Sequence, residues 1–375
     1  MVDLADEHWM QQALALAEQA RLACPPNPAV GCVLVGAGGA VIGRGFTQPV
    51  GQAHAEVMAL RDAARQGHST KDATAYVTLE PCAHQGHTGP CCDALIAAGV
   101  ARVVSALQDP NPLVAGKGFD RLRAAGVAVD VGPSAAAARD LNVGFFKRME
   151  QGLPWVRVKV ACSLDGRTAL PNGVSQWITS PEARTDGQLW RARASVVLTG
   201  VDTVLRDDPL LNVRLAEVPR QPALAIADSR LRTPLVARLW RVAGRTVLVY
   251  SAIQDAGRER ALRERGAEVI ALPGAHGRVD LALLLRDLAR REANEVHVEA
   301  GATLTGALLR AHLVDELLLY QAPVLLGAGA GVLALDEFSR LEDGVWLDWT
   351  AVDRVGPDLR LRARVRGVPP GAVTT

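Results

Sequence analysis

His54, Cys82 and a third ligand at Cys91 or Cys92 constrain the fold more than anything else in the chain, because residues so far apart must be brought together. One imidazole and two thiols suit zinc and leave a fourth position for water. For them to meet, His54-Ala55-Glu56 has to open a helix, Glu80-Pro81-Cys82 has to end a strand, and Cys91-Cys92 has to open a second helix. In mid-helix His54 and Glu56 would diverge, since two residues turn about 200°. They converge only at the helix start, and Gly51-Gln52-Ala53 supplies that lead-in. A thiol at a helix N-terminus also sits at the positive end of the dipole, which favours the thiolate that zinc needs. Glu56, two residues from the histidine, is placed to carry protons to and from the water.

Each residue has a plainer reading. His54 alone could be an ordinary core or surface histidine, and the cysteines could be buried apolar fillers. A closed structural zinc, with His84 or His87 as fourth ligand, is the sharper rival. The conjunction of His-x-Glu, Pro-Cys and a further Cys instead follows the pattern of zinc deaminases, where the glutamate is acid and base rather than ligand. One departure stands out: residues 83 to 90 separate the two cysteines, where the usual spacing is two residues. Cys91 and Cys92 compete for the third position, and the residue pattern does not choose between them.

A chain of 375 residues is long enough for two domains. The 41 basic side chains nearly balance the 40 acidic ones, a poor footprint for a nucleic-acid partner or a membrane surface. Apolar runs are too short to span a bilayer. The N-terminus carries Asp3, Asp6 and Glu7 instead of a basic leader. Six cysteines, four of them between Cys32 and Cys92, fit a reducing cytoplasm better than a secreted disulfide scaffold.

Periodicity predicts helices over residues 6–23, 54–65, 91–98, 119–125 and 135–146, with strands over 29–35, 40–46, 74–79, 100–107 and 127–131. The stripe Val57, Leu60 and Ala64 is expected to bury the second helix. Gly152-Leu153-Pro154 reads as a linker. Beyond it come strands over 155–161, 196–198, 223–227, 246–250, 268–272, 295–299 and 316–323, with helices over 181–193, 258–265, 280–290 and 303–311. Both halves are therefore α/β. No dinucleotide fingerprint is present, and Gly327-Ala328-Gly329-Ala330-Gly331 reads as a flexible glycine loop. Val298 through Gly306, a strand end followed by a glycine and a helix start, is the better phosphate candidate. Segments 159–168, 175–180 and 203–214 are polar where a structural loop need not be.

Pro26-Asn27-Pro28-Ala29-Val30-Gly31, His54-Ala55-Glu56 and Leu79-Glu80-Pro81-Cys82-Ala83-His84-Gln85-Gly86-His87-Thr88-Gly89-Pro90-Cys91 together resemble the bifunctional riboflavin-biosynthesis deaminase/reductase family, in which the long cysteine spacing is normal. The resemblance implies a cytidine-deaminase-like three-layer α/β/α domain over 1–147 and a dihydrofolate-reductase-like α/β domain over 155–367; the residues themselves suggest a linker over 148–154 and a disordered tail over 368–375. It implies one zinc per deaminase domain on His54, Cys82 and Cys91, Glu56 as proton shuttle and Cys92 as bystander. Gly89 stands where the family often has a second proline. The later polar segments resemble the family's NADPH-dependent reductase half. Ala161, Trp177, Thr203, Asp207, Ser229 and the loop Gly301, Ala302, Thr303, Leu304, Thr305, Gly306 and Ala307 would contact the nucleotide. Ser175, Arg191, Leu211, Arg214 and Glu299 would hold the substrate, the arginines suiting its phosphate.

The implied function is two consecutive steps. Hydrolytic deamination of 2,5-diamino-6-ribosylamino-4(3H)-pyrimidinone 5′-phosphate comes first. Reduction of the ribosyl side chain to ribityl follows, giving 5-amino-6-(5-phospho-D-ribitylamino)uracil. The expected partners are this small phosphorylated pyrimidine and other copies of the chain in a cytoplasmic homo-oligomer, with neither nucleic acid nor membrane.

Overall fold

A computed structural model describes residues 4–83 and 89–367. His84, His87 and the expected tail lie outside the described residues. The chain divides into two compact units between Glu150 and Gln151.

The first unit runs α1 (Leu4–Ala20), β1 (Gly31–Val35), β2 (Val41–Phe46), α2 (Ala55–Arg65), β3 (Thr74–Val77), α3 (Cys91–Ala97), β4 (Arg102–Ser105), α4 (Lys117–Ala124), β5 (Ala128–Val131), α5 (Ala135–Leu141) and α6 (Val143–Gln151). Its sheet has the order β2-β1-β3-β4-β5. The hairpin β1–β2 and the pair β1–β3 are antiparallel, while β3, β4 and β5 run parallel. Alternating side chains feed two cores. Val33 and Val35 pack with Met10, Ala13 and Ala17 of α1 and Leu141 of α5. Cys32 and Leu34 pack with Ala55, Ala59 and Ala63 of α2, Leu95 of α3 and Leu122 of α4. The expected three layers are present.

Two expectations change here. The buried stripe of α2 is Ala55, Ala59 and Ala63, while Val57 and Leu60 are half-buried and Ala64 is exposed. The cause lies in β2, where a Cβ on Gly45 would stand 2.3 Å from the Ala55 carbonyl oxygen and one on Gly43 2.3 Å from that of Ala59. The helix lies so close to the strand that only alanines fit between them. The expected helix over 135–146 is two helices broken at Asn142, whose side chain accepts from the Ala29 N–H and donates to the Ala29 carbonyl, both at 2.8 Å. The second of them, α6, continues through Gln151, so only Gly152, Leu153 and Pro154 join it to the next strand.

The second unit runs β6 (Trp155–Ser163), β7 (Arg167–Ala169), α7 (Pro181–Arg193), β8 (Val196–Gly200), α8 (Val201–Asp207), β9 (Ala223–Ala227), β10 (Val247–Ser251), α9 (Ala256–Glu264), β11 (Ala267–Ala271), α10 (Leu281–Arg290), β12 (Glu295–Val298), α11 (Ala302–Arg310), β13 (Glu316–Ala322), β14 (Ala330–Gly331), β15 (Leu347–Val355) and β16 (Asp358–Val365). Its nine-stranded sheet has the order β11-β10-β9-β8-β12-β6-β13-β16-β15, parallel except at the β13–β16 and β16–β15 pairs. Leu284, Leu285 and Leu288 of α10 and Leu308 and Leu309 of α11 cover one face. Val201 and Val204 of α8 and Leu262 of α9 pack on the other, with Trp190 and Ala183 of α7 against Leu318 and Tyr320. The glycine stretch expected to be a loose loop is partly strand. Ala330–Gly331 pairs with β7, and a Cβ on Gly329 would meet the Ala169 carbonyl oxygen at 2.2 Å.

Candidate active sites

In the first unit, His54 is the N-cap of α2 with extended backbone, Cys82 follows β3, and Cys91 is the first residue of α3. Their ligand atoms all lie within 4.8 Å of one another. His54 Nδ1 is 3.6 Å from Cys82 Sγ and 3.3 Å from Cys91 Sγ, and the Cys91 N–H donates to Cys82 Sγ at 3.4 Å. The Cys91 thiol, with help from His54, holds Cys82 down to about 4, while Cys91 itself is pushed up, so the pair shares one proton. An imidazole beside two such sulfurs is a donor set that fits zinc. Glu56, in the first turn of α2, is buried and reaches the Cys91 thiol; burial and the Cys82 charge push its carboxyl up to about 7. The adjacent Cys92 is absent from this cluster. It packs in the core with Leu95 and Val103, and burial raises its thiol to about 11.

What holds Cys82 in place is Glu80. Its buried carboxylate accepts the N–H groups of Asp109 and Gly116 on Oε2 at 3.1 and 3.0 Å, and those of Gly118 and Phe119 on Oε1 at 2.9 and 3.4 Å. The stretch from Asp109 into the first turn of α4 is thereby clasped to the loop after β3 that carries the cysteine. Gly118 completes the clasp, since a Cβ there would stand 2.0 Å from the Pro81 carbonyl oxygen.

In the second unit a cleft of about 1340 Å³ opens where β6, β8, β9 and β12 end. Its size exceeds that of an ordinary small-ligand pocket. At one wall Gly301 caps α11 with no side-chain bond and with open space around its Cα, leaving helix N–H groups available to an anion. Near the cleft floor Arg191 grips Glu299 with Nε to Oε1 at 2.6 Å and Nη2 to Oε2 at 2.7 Å. Burial would raise the Glu299 carboxyl, but Arg191 above all, through its charge and its hydrogen bonds, outweighs it and holds the group well below its ordinary range. Lys159, beside them, is lowered by its own burial.

Residues 4–107 match the family described as the cytidine and deoxycytidylate deaminase zinc-binding region, and residues 154–361 match the RibD C-terminal domain. The riboflavin biosynthesis protein RibD of Escherichia coli K12 is 46% identical over 371 residues, covering 96% of this chain and 99% of that protein. The chain belongs to the RibD family. Solved structures agree. A RibD of Acinetobacter baumannii superposes with TM-score 0.88 at 44% identity, covering 97% of this chain and 99% of that one. A Thermotoga maritima diaminohydroxyphosphoribosylaminopyrimidine deaminase/5-amino-6-(5-phosphoribosylamino)uracil reductase does so with TM-score 0.84 at 30% identity, covering 96% and 99%. As a RibD protein the chain is a bifunctional deaminase and reductase of riboflavin biosynthesis.

Against this RibD frame, the expected cleft residues fall mostly in one place. Ala161, Trp177, Thr203, Asp207, Ser229, Gly301, Ala302, Thr303, Leu304 and Ala307 line the cleft, as do Ser175, Arg191, Leu211, Arg214 and Glu299. Thr305 and Gly306 do not. Thr305 is fully buried, and a Cβ on Gly306 would stand 2.0 Å from the Ala334 carbonyl oxygen. Arg191 also differs from expectation, because its fork is engaged by Glu299 and by the Asn212 carbonyl rather than open to a phosphate. Ala330 and Gly331, set aside as loop, belong to the wall. Residue patterns missed Glu80 and Arg238, which lines the cleft, and gave Lys159 only as the start of the polar segment 159–168. Glu80 was visible only as a neighbour of Cys82, and its four N–H partners lie about thirty or more residues away.

Proposed function

We propose that the first unit deaminates 2,5-diamino-6-ribosylamino-4(3H)-pyrimidinone 5′-phosphate and that the second reduces the ribosyl group of the product to ribityl with NADPH. The observation that carries the first half is a buried carboxylate beside a His, Cys, Cys cluster at three element ends. His54, Cys82 and Cys91 would hold zinc, which when bound supplies a Lewis acid that makes water nucleophilic near neutral pH. Glu56 then takes a proton from the attacking water, gives it to the ring nitrogen, and assists the departing amine. The water oxygen stays on the ring carbon as the carbonyl, and the amino group leaves as ammonia once its C–N bond breaks. Cys92 takes no part.

In the second unit the open N-terminus of α11 and the wall from Ala161 through Thr203 to Ser229 would hold the nucleotide, which supplies the hydride. Arg214 would take the substrate phosphate. Glu299, held by Arg191, would accept a hydroxyl of the sugar, and the protein's contribution is to align and shield the reacting carbon. A coupled assay tests this reading: ammonia release and NADPH absorbance are followed together with the diamino substrate. Treating the enzyme with a zinc chelator should stop ammonia release while leaving reduction of the separately supplied deaminated compound intact. Equal loss of both would sink the assignment of the metal to the first unit alone.

A further inference from the structure

A buried imidazole beneath the cleft lacks a formed hydrogen bond. His297, in β12, is 1% exposed, and neither ring nitrogen makes a hydrogen bond among the described residues. Groups buried this way are rare and call for a cause. Strand alternation puts Glu295, His297 and Glu299 on one side, and Val296 and Val298 on the other, in the aliphatic core. The cationic neighbours on that side, Arg157, Lys159 and Arg191, carry no acceptor for a ring N–H. Arg157, the register partner of His297 on β6, bonds Glu295 and Glu316, and Arg193 bonds Glu295. Guanidinium groups donate and cannot accept. The acceptor within reach is Oε1 of Glu299, 3.5 Å from His297 Nε2. Burial keeps the imidazole neutral, lowering it to about 3 against the pull of Glu299. It therefore has one N–H to give.

We propose that His297 is a positioning residue of the reductase site, its Nε2–H fixing Oε1 of Glu299 from the strand side while Arg191 grips the carboxylate from α7. The distance is long for a formed bond. Bonds of this kind tighten when substrate is seated, and a hydroxyl drawn to Glu299 closes the gap. The inference rests on the proposed role of Glu299 in holding the substrate.

The test uses the full-length enzyme, the deaminated substrate and NADPH. His297→Phe keeps a ring and removes the donor. It should lower kcat/KM for that substrate by about tenfold, chiefly through KM, with nucleotide affinity and ammonia release unchanged. His297→Gln, whose amide reaches the Nε2 position, should stay within about threefold of the parent. In a Glu299→Gln background the Phe change should add nothing, because its target is gone. Parent-like kinetics in His297→Phe, a Gln variant no better than Phe, or losses that multiply in the double variant would each overturn the proposal. If Glu299→Gln alone reduces as well as the parent, the substrate role of Glu299 fails and this inference fails with it. If Glu299→Gln is impaired and His297→Phe is not, this inference fails alone. Should the Phe variant not fold, nitrogen NMR of the parent decides, with His297→Gln identifying the signal. Saturating substrate should move the Nε2 resonance as its N–H enters a hydrogen bond, and an unmoved resonance refutes the proposal.

Discussion

Cys91 and Cys92 are consecutive, yet they have different surroundings. Successive helix residues point about 100° apart, so one sulfur meets His54 and Cys82 while the other enters the core beside Leu95. Residue type and local spacing do not separate them, since both follow Pro90 and both open the helix; only the family resemblance chose Cys91. Cys91→Ser should therefore lose zinc, measured by metal content after dialysis. Cys92→Ser should keep it but lose about 1–3 kcal/mol of stability in a denaturant titration, because a hydroxyl would be buried among aliphatic groups. If Cys92→Ser loses the metal, the ligand assignment is wrong. Glu56 was legible from its spacing to His54 alone. Glu56→Gln should keep zinc and lower ammonia release by at least about 100-fold, while reduction of the deaminated compound continues in the same preparation.

At the scale of elements, what could be read depended on whether a neighbour intervened. The strand–helix alternation of both units and the helix start at His54 follow from local pattern. The true buried face of α2 does not, since it is chosen by Gly43 and Gly45 on another element. The strand β16 was missed although Leu359, Leu361 and Ala363 alternate with Arg360, Arg362 and Arg364. A run of arginines reads as solvated, whereas here Arg360 and Arg362 lie over the Trp190 ring and bond Asp186 and Glu316. Short polar α8 was likewise taken for loop. The Glu80 clasp makes the strongest element-level prediction. Glu80→Ala leaves four N–H groups without their acceptor and should cost about 2–4 kcal/mol. Amide exchange should speed up over residues 109–119 before it does in β3, and zinc should bind more weakly because Cys82 loses its support. Unchanged exchange in that segment would show that the clasp is dispensable.

The whole molecule is two α/β units, each with its own sheet and its own candidate site. Their number, order and class follow from length and alternation, and Gly152-Leu153-Pro154 joins them as read, but the wider bounds 148–154 do not hold because α6 runs through Gln151. Acid should act on the second unit through Glu316. Burial would raise this carboxyl, but Arg157, Arg362 and the Trp155 N–H together hold it at about 2. A folded-state value below the ordinary one adds stability that is full above the unfolded value, near pH 4.5, and is lost as pH falls toward 2. The thermal midpoint of this unit should drop most steeply across that window, and Glu316→Gln should flatten the drop; an equally steep decline in the variant would assign acid sensitivity elsewhere. β12 carries one more consequence. Its acid, imidazole and acid alternate with two valines, so pairing it one residue out of step on β6 or β8 would press the valines onto guanidinium groups and the charges into the leucine layer. The strand thus checks its own alignment during folding. A chain that joined it wrongly would pay in both layers at once, so the misaligned sheet has little to hold it and the correct one can re-form.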